Sequence, residues 1–222
     1  MPSYTLLRSV RAPRLTMDWD GPEWKAADTL EISHFLPESS SHRPKTQAKL
    51  LYSSEGIHGI FKVQDRYVRC RGSRYGSPAF QDSCVEFFVE PVRSRGYFNF
   101  EFGCGGALLC SHITDHRRTG NGFRSWTRIP EEAGTLVRIA HSLPEAVDPE
   151  DAAERVWLLE FIIPFTLMER YVGSLSPVVS CSWRGNFYKC ADKTSHPHWA
   201  SWAPLPEKNF HLPECFGDLH FE

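Results

Sequence analysis

The sequence predicts an all-β protein, an antiparallel β sandwich of jelly-roll type with few short helices. Three observations carry the prediction. Short apolar runs recur at fairly even spacing, separated by clusters of Gly, Pro and Ser. No long stretch repeats its apolar residues with the 3.6-residue period of an amphipathic helix. Several runs instead alternate strictly, Tyr97-Phe-Asn-Phe-Glu-Phe102 most clearly, and period two belongs to a strand with one buried face. The 222 residues are read as one domain, 1–222, because sandwiches of this length occur undivided. No internal repeat and no linker divides them.

Taken in order, Ala48 to Tyr52 and Ile57 to Val63 read as a hairpin turning through Ser-Ser-Glu-Gly. Cys84 to Val89 and Tyr97 to Phe102 read as a second, turning between Pro91 and Gly96. There Val85, Phe87 and Val89 face a core together with Phe98, Phe100 and Phe102, which leaves Glu86, Asn99 and Glu101 on the opposite side. Thr135 to Ala140 and Arg155 to Ile163 are further strands. In the latter Trp157, Leu159, Phe161 and Ile163 alternate against Glu160, Pro164 ends the run, and Phe165 to Tyr171 forms one short helix. His112 to Ile129 and Ser142 to Ala153 read as polar loops. Trp183 to Cys190 is a strand with Trp183, Phe187 and Lys189 on one face and Arg184, Asn186 and Tyr188 on the other. The expected core aromatics are Phe87, Phe98, Phe100, Phe102, Trp157, Phe161 and Phe187.

Composition excludes several functions. Hydrophobic residues make up 41% and charged residues 23%, with a formal net charge of −2, so no global field draws the chain to nucleic acid or anionic membrane. Arginine clusters locally, at positions 66, 69, 71 and 74 and again at 117, 118, 124 and 128. Seven cysteines form no C-x-x-C pair, and several sit in apolar strand patterns, which favours a reducing compartment. No segment approaches the roughly 20 apolar residues of a membrane helix, and no signal peptide is evident at Met1-Pro-Ser-Tyr. A cytoplasmic location is expected, or secretion if a leader has been removed.

Glu86, Asn99, Glu101, Arg184, Asn186 and Tyr188 form one polar patch if their strands share a sheet. Beside it run aromatic loops carrying Trp199, Trp202 and Phe210. Planar rings cover the apolar faces of a sugar, and carboxylate, amide and guanidinium groups bond its hydroxyls. The alternative is a solvated, salt-bridged outer face. An enzymatic alternative is a glycoside hydrolase using Glu86 and Glu101 as its two carboxylates, and a non-enzymatic one is a protein-interaction sandwich with no sugar ligand. His196, His198, Cys190, His211 and Cys215 supply soft metal donors in no standard zinc spacing. Asp18, Asp20, Asp65 and Asp82 supply hard oxygens, but no calcium loop. No metal and no cofactor is therefore assigned.

Gln81-Asp-Ser-Cys-Val-Glu-Phe-Phe88, Tyr97 to Phe102, Trp157-Leu-Leu-Glu-Phe-Ile-Ile-Pro-Phe165, Asn186 to Cys190 and Phe210-His-Leu-Pro-Glu-Cys-Phe-Gly217 resemble, in this order, the family 9 carbohydrate-binding modules. Trp19-Asp-Gly-Pro-Glu-Trp-Lys-Ala-Ala27 is similar to the family's usual opening. The resemblance implies a sandwich that binds mono- or oligosaccharides without cleaving them, often in the breakdown of plant xylan. It also implies a structural calcium in some members. Its two clamp tryptophans correspond to Phe80, six residues before Glu86, and Phe210, eight after Trp202. Asn186 falls where an amide meets sugar, and Asn99 where the family has Arg. The resemblance therefore implies a cleft flanked by Phe80 and Phe210 over Glu86, Asn99 and Asn186, with Glu101 and Arg184 as further floor groups. Trp199 and Trp202 are substitute platforms should the phenylalanines prove to be core plugs.

Overall fold

The computed structural model describes residues 1–10, 14–120, 122–180 and 183–222. Cys181 lies outside the described residues. Sixteen strands appear among them: β1 (Ser3–Arg8), β2 (Leu30–Glu31), β3 (His34–Phe35), β4 (Lys45–Tyr52), β5 (Gly56–Asp65), β6 (Val68–Cys70), β7 (Cys84–Glu90) and β8 (Tyr97–Gly103), then β9 (Leu108–Thr119), β10 (Gly122–Arg128), β11 (Arg138–His141), β12 (Val147–Asp151), β13 (Arg155–Pro164), β14 (Trp183–Cys190), β15 (Trp199–Ser201) and β16 (Gly217–Phe221). The helices are short, α1 (Glu131–Gly134) and α2 (Phe165–Val172). No helix among the described residues is long and apolar enough to cross a membrane.

The strands form two layers of a jelly-roll-like sandwich. One runs β10-β9-β8-β7-β14-β16-β1, the other β1-β4-β5-β13-β11. β1 belongs to both. Ser3 to Leu6 pair with β16, while Leu7 and Arg8 pair with Leu51 and Tyr52 of β4. Both of these pairings are parallel, the exception to an otherwise antiparallel arrangement.

Inward-facing residues of the two layers meet as the alternation requires. Phe87 stacks on Phe187 at 4.8 Å, and Phe102 on Phe161 of the opposite layer at 4.8 Å. All seven expected core aromatics are buried. Lys189 lies on this inner face too, fully buried, with Nζ 3.4 Å from Asp65 Oδ2, 2.9 Å from His198 Nε2 and donating to the Cys190 carbonyl at 3.1 Å. Asp65 also accepts from Trp157 Nε1 and bonds His42. Every polar group of this cluster thus has a partner in the protein.

Three expectations need correction. Residues 112–119 and 122–128 belong to the antiparallel hairpin strands β9 and β10 rather than to a loop. Residues 142–153 contain β12, paired with β6. The strand expected from Thr135 begins only at Arg138, because Thr135 closes α1 by donating its backbone N–H to Glu131. The hairpin was hidden by its irregular pairing. Register shifts on either side of Ser125 break the alternation of β10, so its period-two pattern does not show.

Candidate functional site

The site is built on the outer face of β7, β8 and β14. Glu86 is directly opposite Glu101 on β8 and Tyr188 on β14. Asn99 is one row away, opposite Ser111 on β9. The polar patch is real, but it is covered rather than solvated. Above its β8–β7 side lies a cavity of about 450 Å³, within the roughly 300–1,000 Å³ usual for small-molecule sites.

Glu86, Asn99, Glu101 and Ser111 line its floor, and Phe80, Phe123, Trp126, Trp199 and Phe210 supply aromatic lining. Arg118, Arg128 and Lys208 add positive charge, and Asp192 and His211 complete much of the boundary. The same bulges that hid β10 bring Phe123 and Trp126 to one cavity although they are three residues apart. Their rings meet edge to face at 6.3 Å.

Each wall is held from behind. Phe80 sits in a turn tied to the end of β14 by Asp192 and Lys193, whose backbone N–H groups donate to the Phe80 and Gln81 carbonyls. Phe210 stacks on Tyr188 at 4.1 Å, and the Tyr188 hydroxyl donates to the Phe210 carbonyl at 2.9 Å. Trp199 donates its indole N–H to Asp192 at 2.7 Å, while Lys208 lies over its ring. Both Phe80 and Phe210 are half-buried, so neither is sealed in the core.

The floor is acidic and buried. Two carboxylates facing each other across adjacent strands repel, and burial removes the water that would stabilise their charge. Burial, with Cys190 and Glu101 beside it, pushes Glu86 well above the usual carboxylate range. Burial also lifts Glu101 to about 7, against the hydrogen bond from Asn99. Asn99 donates to Glu101 Oε1 at 2.6 Å and accepts from the Ser111 N–H at 2.8 Å. Glu101 Oε2 is buried with no hydrogen-bond partner.

Five of the eight residues singled out in the sequence, Phe80, Glu86, Asn99, Glu101 and Phe210, line this cavity. Arg184, Asn186 and Trp202 do not. Arg184 donates to the carbonyls of Glu214 and Phe216 and pairs with Glu90 at 3.6 Å. Asn186 donates to the Ala203 carbonyl and accepts from the Phe187 and Ala203 N–H groups. Trp202 packs on Phe187 in the core. The sequence reading missed Ser111, Phe123, Trp126, Asp192 and Lys208. Only the arginine cluster at 117–128 signalled that β9 and β10 reach a site.

Two histidines among the soft donors are engaged in the fold. His198 bonds Lys189, and His211 bonds the Tyr97 hydroxyl at 2.9 Å. Of the calcium candidates, Asp65 is taken up by Lys189 and His42, and Asp82 by Arg69 at 2.7 Å.

A sandwich carrying a cavity with aromatic walls and a polar floor on one sheet face has the form of a carbohydrate-binding module. The family model described as carbohydrate-binding family 9 matches residues 22–221, and the chain belongs to that family. It is a binding module, not an enzyme. A Bacteroides uniformis protein proposed to bind carbohydrate is similar in structure, with 26% identity, TM-score 0.82 and 99% of each chain covered. A family 9 module from Caldicellulosiruptor kristjanssonii, solved with glucose, has 12% identity and TM-score 0.63, covering 98% of this chain and 95% of that one. The same organism's module with cellotriose gives 12% and 0.61, covering 100% and 94%. At 12% identity these two show the fold. No curated protein matches the sequence.

Proposed function

We propose that the cavity binds a mono- or oligosaccharide without cleaving it, over Glu86, Asn99 and Glu101 and against the rings of Phe80 and Phe210. The observation that carries this reading is one cavity that pairs a floor of Glu86, Asn99 and Glu101 with walls of Phe80, Trp126, Trp199 and Phe210. Sugar hydroxyls meet the polar floor while the ring's apolar faces meet aromatic carbon. Trp126 and Trp199 extend the platform, which offsets the smaller area of two phenylalanines. Arg184, Asn186 and Trp202 act from behind, fixing the loop that carries Phe210.

Family membership supports a sugar ligand, and the glucose and cellotriose held by the Caldicellulosiruptor structures make plant-type sugars the first to try. Xylose and xylobiose belong beside them, for a role in xylan-type breakdown. The six described cysteines are all free thiols, which fits work in a reducing compartment. The test is calorimetric titration with glucose, cellobiose, xylose and xylobiose, repeated on a Phe80→Ala, Phe210→Ala double variant. Two ring contacts of about 0.5–1.5 kcal/mol each predict affinity weakened by about 5- to 150-fold. Unchanged affinity in a folded double variant would overturn the site, and silence with all four sugars and a glycan array would overturn the function.

A further inference from the structure

Two cysteines that sugar binding does not use converge on Glu86 at the cavity floor. Cys84 opens β7 and Cys190 closes β14, and the two lie directly opposite in the antiparallel register. Glu86, two residues along β7, projects from the same face. The two sulfur atoms and one Glu86 oxygen all lie within 4.8 Å of one another. Glu86 Oε1 is 3.1 Å from Cys190 Sγ and 3.9 Å from Cys84 Sγ. Among the described residues this is the one group of three such donors that converges.

We propose that Cys84, Cys190 and Glu86 form a binding site for a soft divalent cation of the zinc class. Zinc takes thiolate at about 2.3 Å and carboxylate oxygen at about 2.0–2.2 Å, in a tetrahedron. Neighbouring ligand atoms of such a tetrahedron are about 3.3–3.8 Å apart, close to the two sulfur–oxygen separations here. Two thiolates select against calcium and magnesium, which prefer oxygen alone. The donors stand on adjacent paired strands, so the site is rigid before the ion arrives. Glu86 and Cys190 both line the cavity, which gives the ion its way in. On binding, the ion replaces the protons of the two thiols and the carboxyl, and those protons pass to solvent. Three protein ligands leave a fourth position for a water or a ligand hydroxyl from the cavity, an open arrangement rather than a closed structural one.

The test is titration of the reduced, full chain with cobalt(II) in the absence of air. The expected result is thiolate-to-cobalt charge-transfer absorption in the near ultraviolet, saturating at one equivalent and displaced by zinc. It is lost in a Cys84→Ser, Cys190→Ser double variant and kept in Cys215→Ser. No thiolate band in the reduced wild type, or an equal band in the double variant, overturns the proposal. If the double variant does not fold, X-ray absorption of the zinc-loaded wild type decides. Two sulfur neighbours with oxygen support the site, and a shell without sulfur ends it. None of these readouts involves sugar, so failure here leaves the saccharide reading standing, and the reverse holds.

Discussion

One sheet carries two buried polar clusters on its opposite faces, and they are solved in opposite ways. On the inner face Lys189 meets Asp65, His198 and a carbonyl, and Asp65 meets Trp157 and His42. Charge there is balanced and each donor has an acceptor. On the outer face Glu86 and Glu101 confront each other, and Glu101 Oε2 has no protein partner. Burial alone would raise Asp65, but the Lys189 ammonium and the His42 hydrogen bond outweigh it and hold the carboxyl below its ordinary value. Glu101 has no cation bonded to it and rises to about 7. The inner cluster closes on itself, whereas the outer one keeps an unpaired carboxylate oxygen under the cavity floor.

The largest expected effect comes from breaking the inner cluster. Asp65→Ala strands a buried ammonium and should cost about 3–5 kcal/mol, read from urea unfolding. Because the folded pKa of Asp65 is depressed, its contribution is fully present above its ordinary value of 3.8 and lost as pH falls below it. Asp65→Asn should therefore abolish part of the acid sensitivity of the unfolding midpoint. A wild-type-like acid profile in that variant would break the comparison.

The outer cluster has the reverse sign. In metal-free protein, Glu101 favours the protonated folded state between its ordinary 4.5 and about 7. Stability from this group is present below pH 4.5 and falls as pH rises toward 7. Glu101→Gln should flatten that decline, measured as the denaturation midpoint across the same range. The same substitution removes one acceptor from the cavity, and sugar affinity should drop about 2- to 10-fold. Affinity that is unchanged would show that Glu101 does not contact the sugar.

The smallest effect is expected at Trp126, 39% exposed. Trp126→Ala should leave stability within about 0.5 kcal/mol and weaken sugar binding only a few-fold. A large loss would move the main platform from Phe210 to β10.

How much of this was legible in the sequence depends on local regularity. Phe98, Phe100 and Phe102 announce their face by strict alternation, and the hairpin of β7 and β8 follows, with Glu86 and Glu101 on its far side. Phe123 and Trp126 could not be read, because bulges cancel the pattern that would have revealed a strand. Arg184 and Asn186 occupy the correct face, yet their side chains are spent on the chain between Ala203 and Phe216. Periodicity gives the direction of a side chain, not which tertiary backbone will claim it. Cys84 and Cys190 illustrate the same limit, since only the register of β7 against β14 makes them neighbours.

The placing of β16 has a consequence for how the protein is made. It lies between β14 and β1, with β1 in turn bridging to the other layer. Of the described strands it is the last to leave the ribosome. Until it emerges, β14 and β1 present open edges to the crowded cell, and the sheet that carries the cavity cannot join the one behind it. Assembly of this domain therefore awaits its final strand, and shortening the chain before Gly217 would leave an unclosed sheet rather than a smaller binding protein.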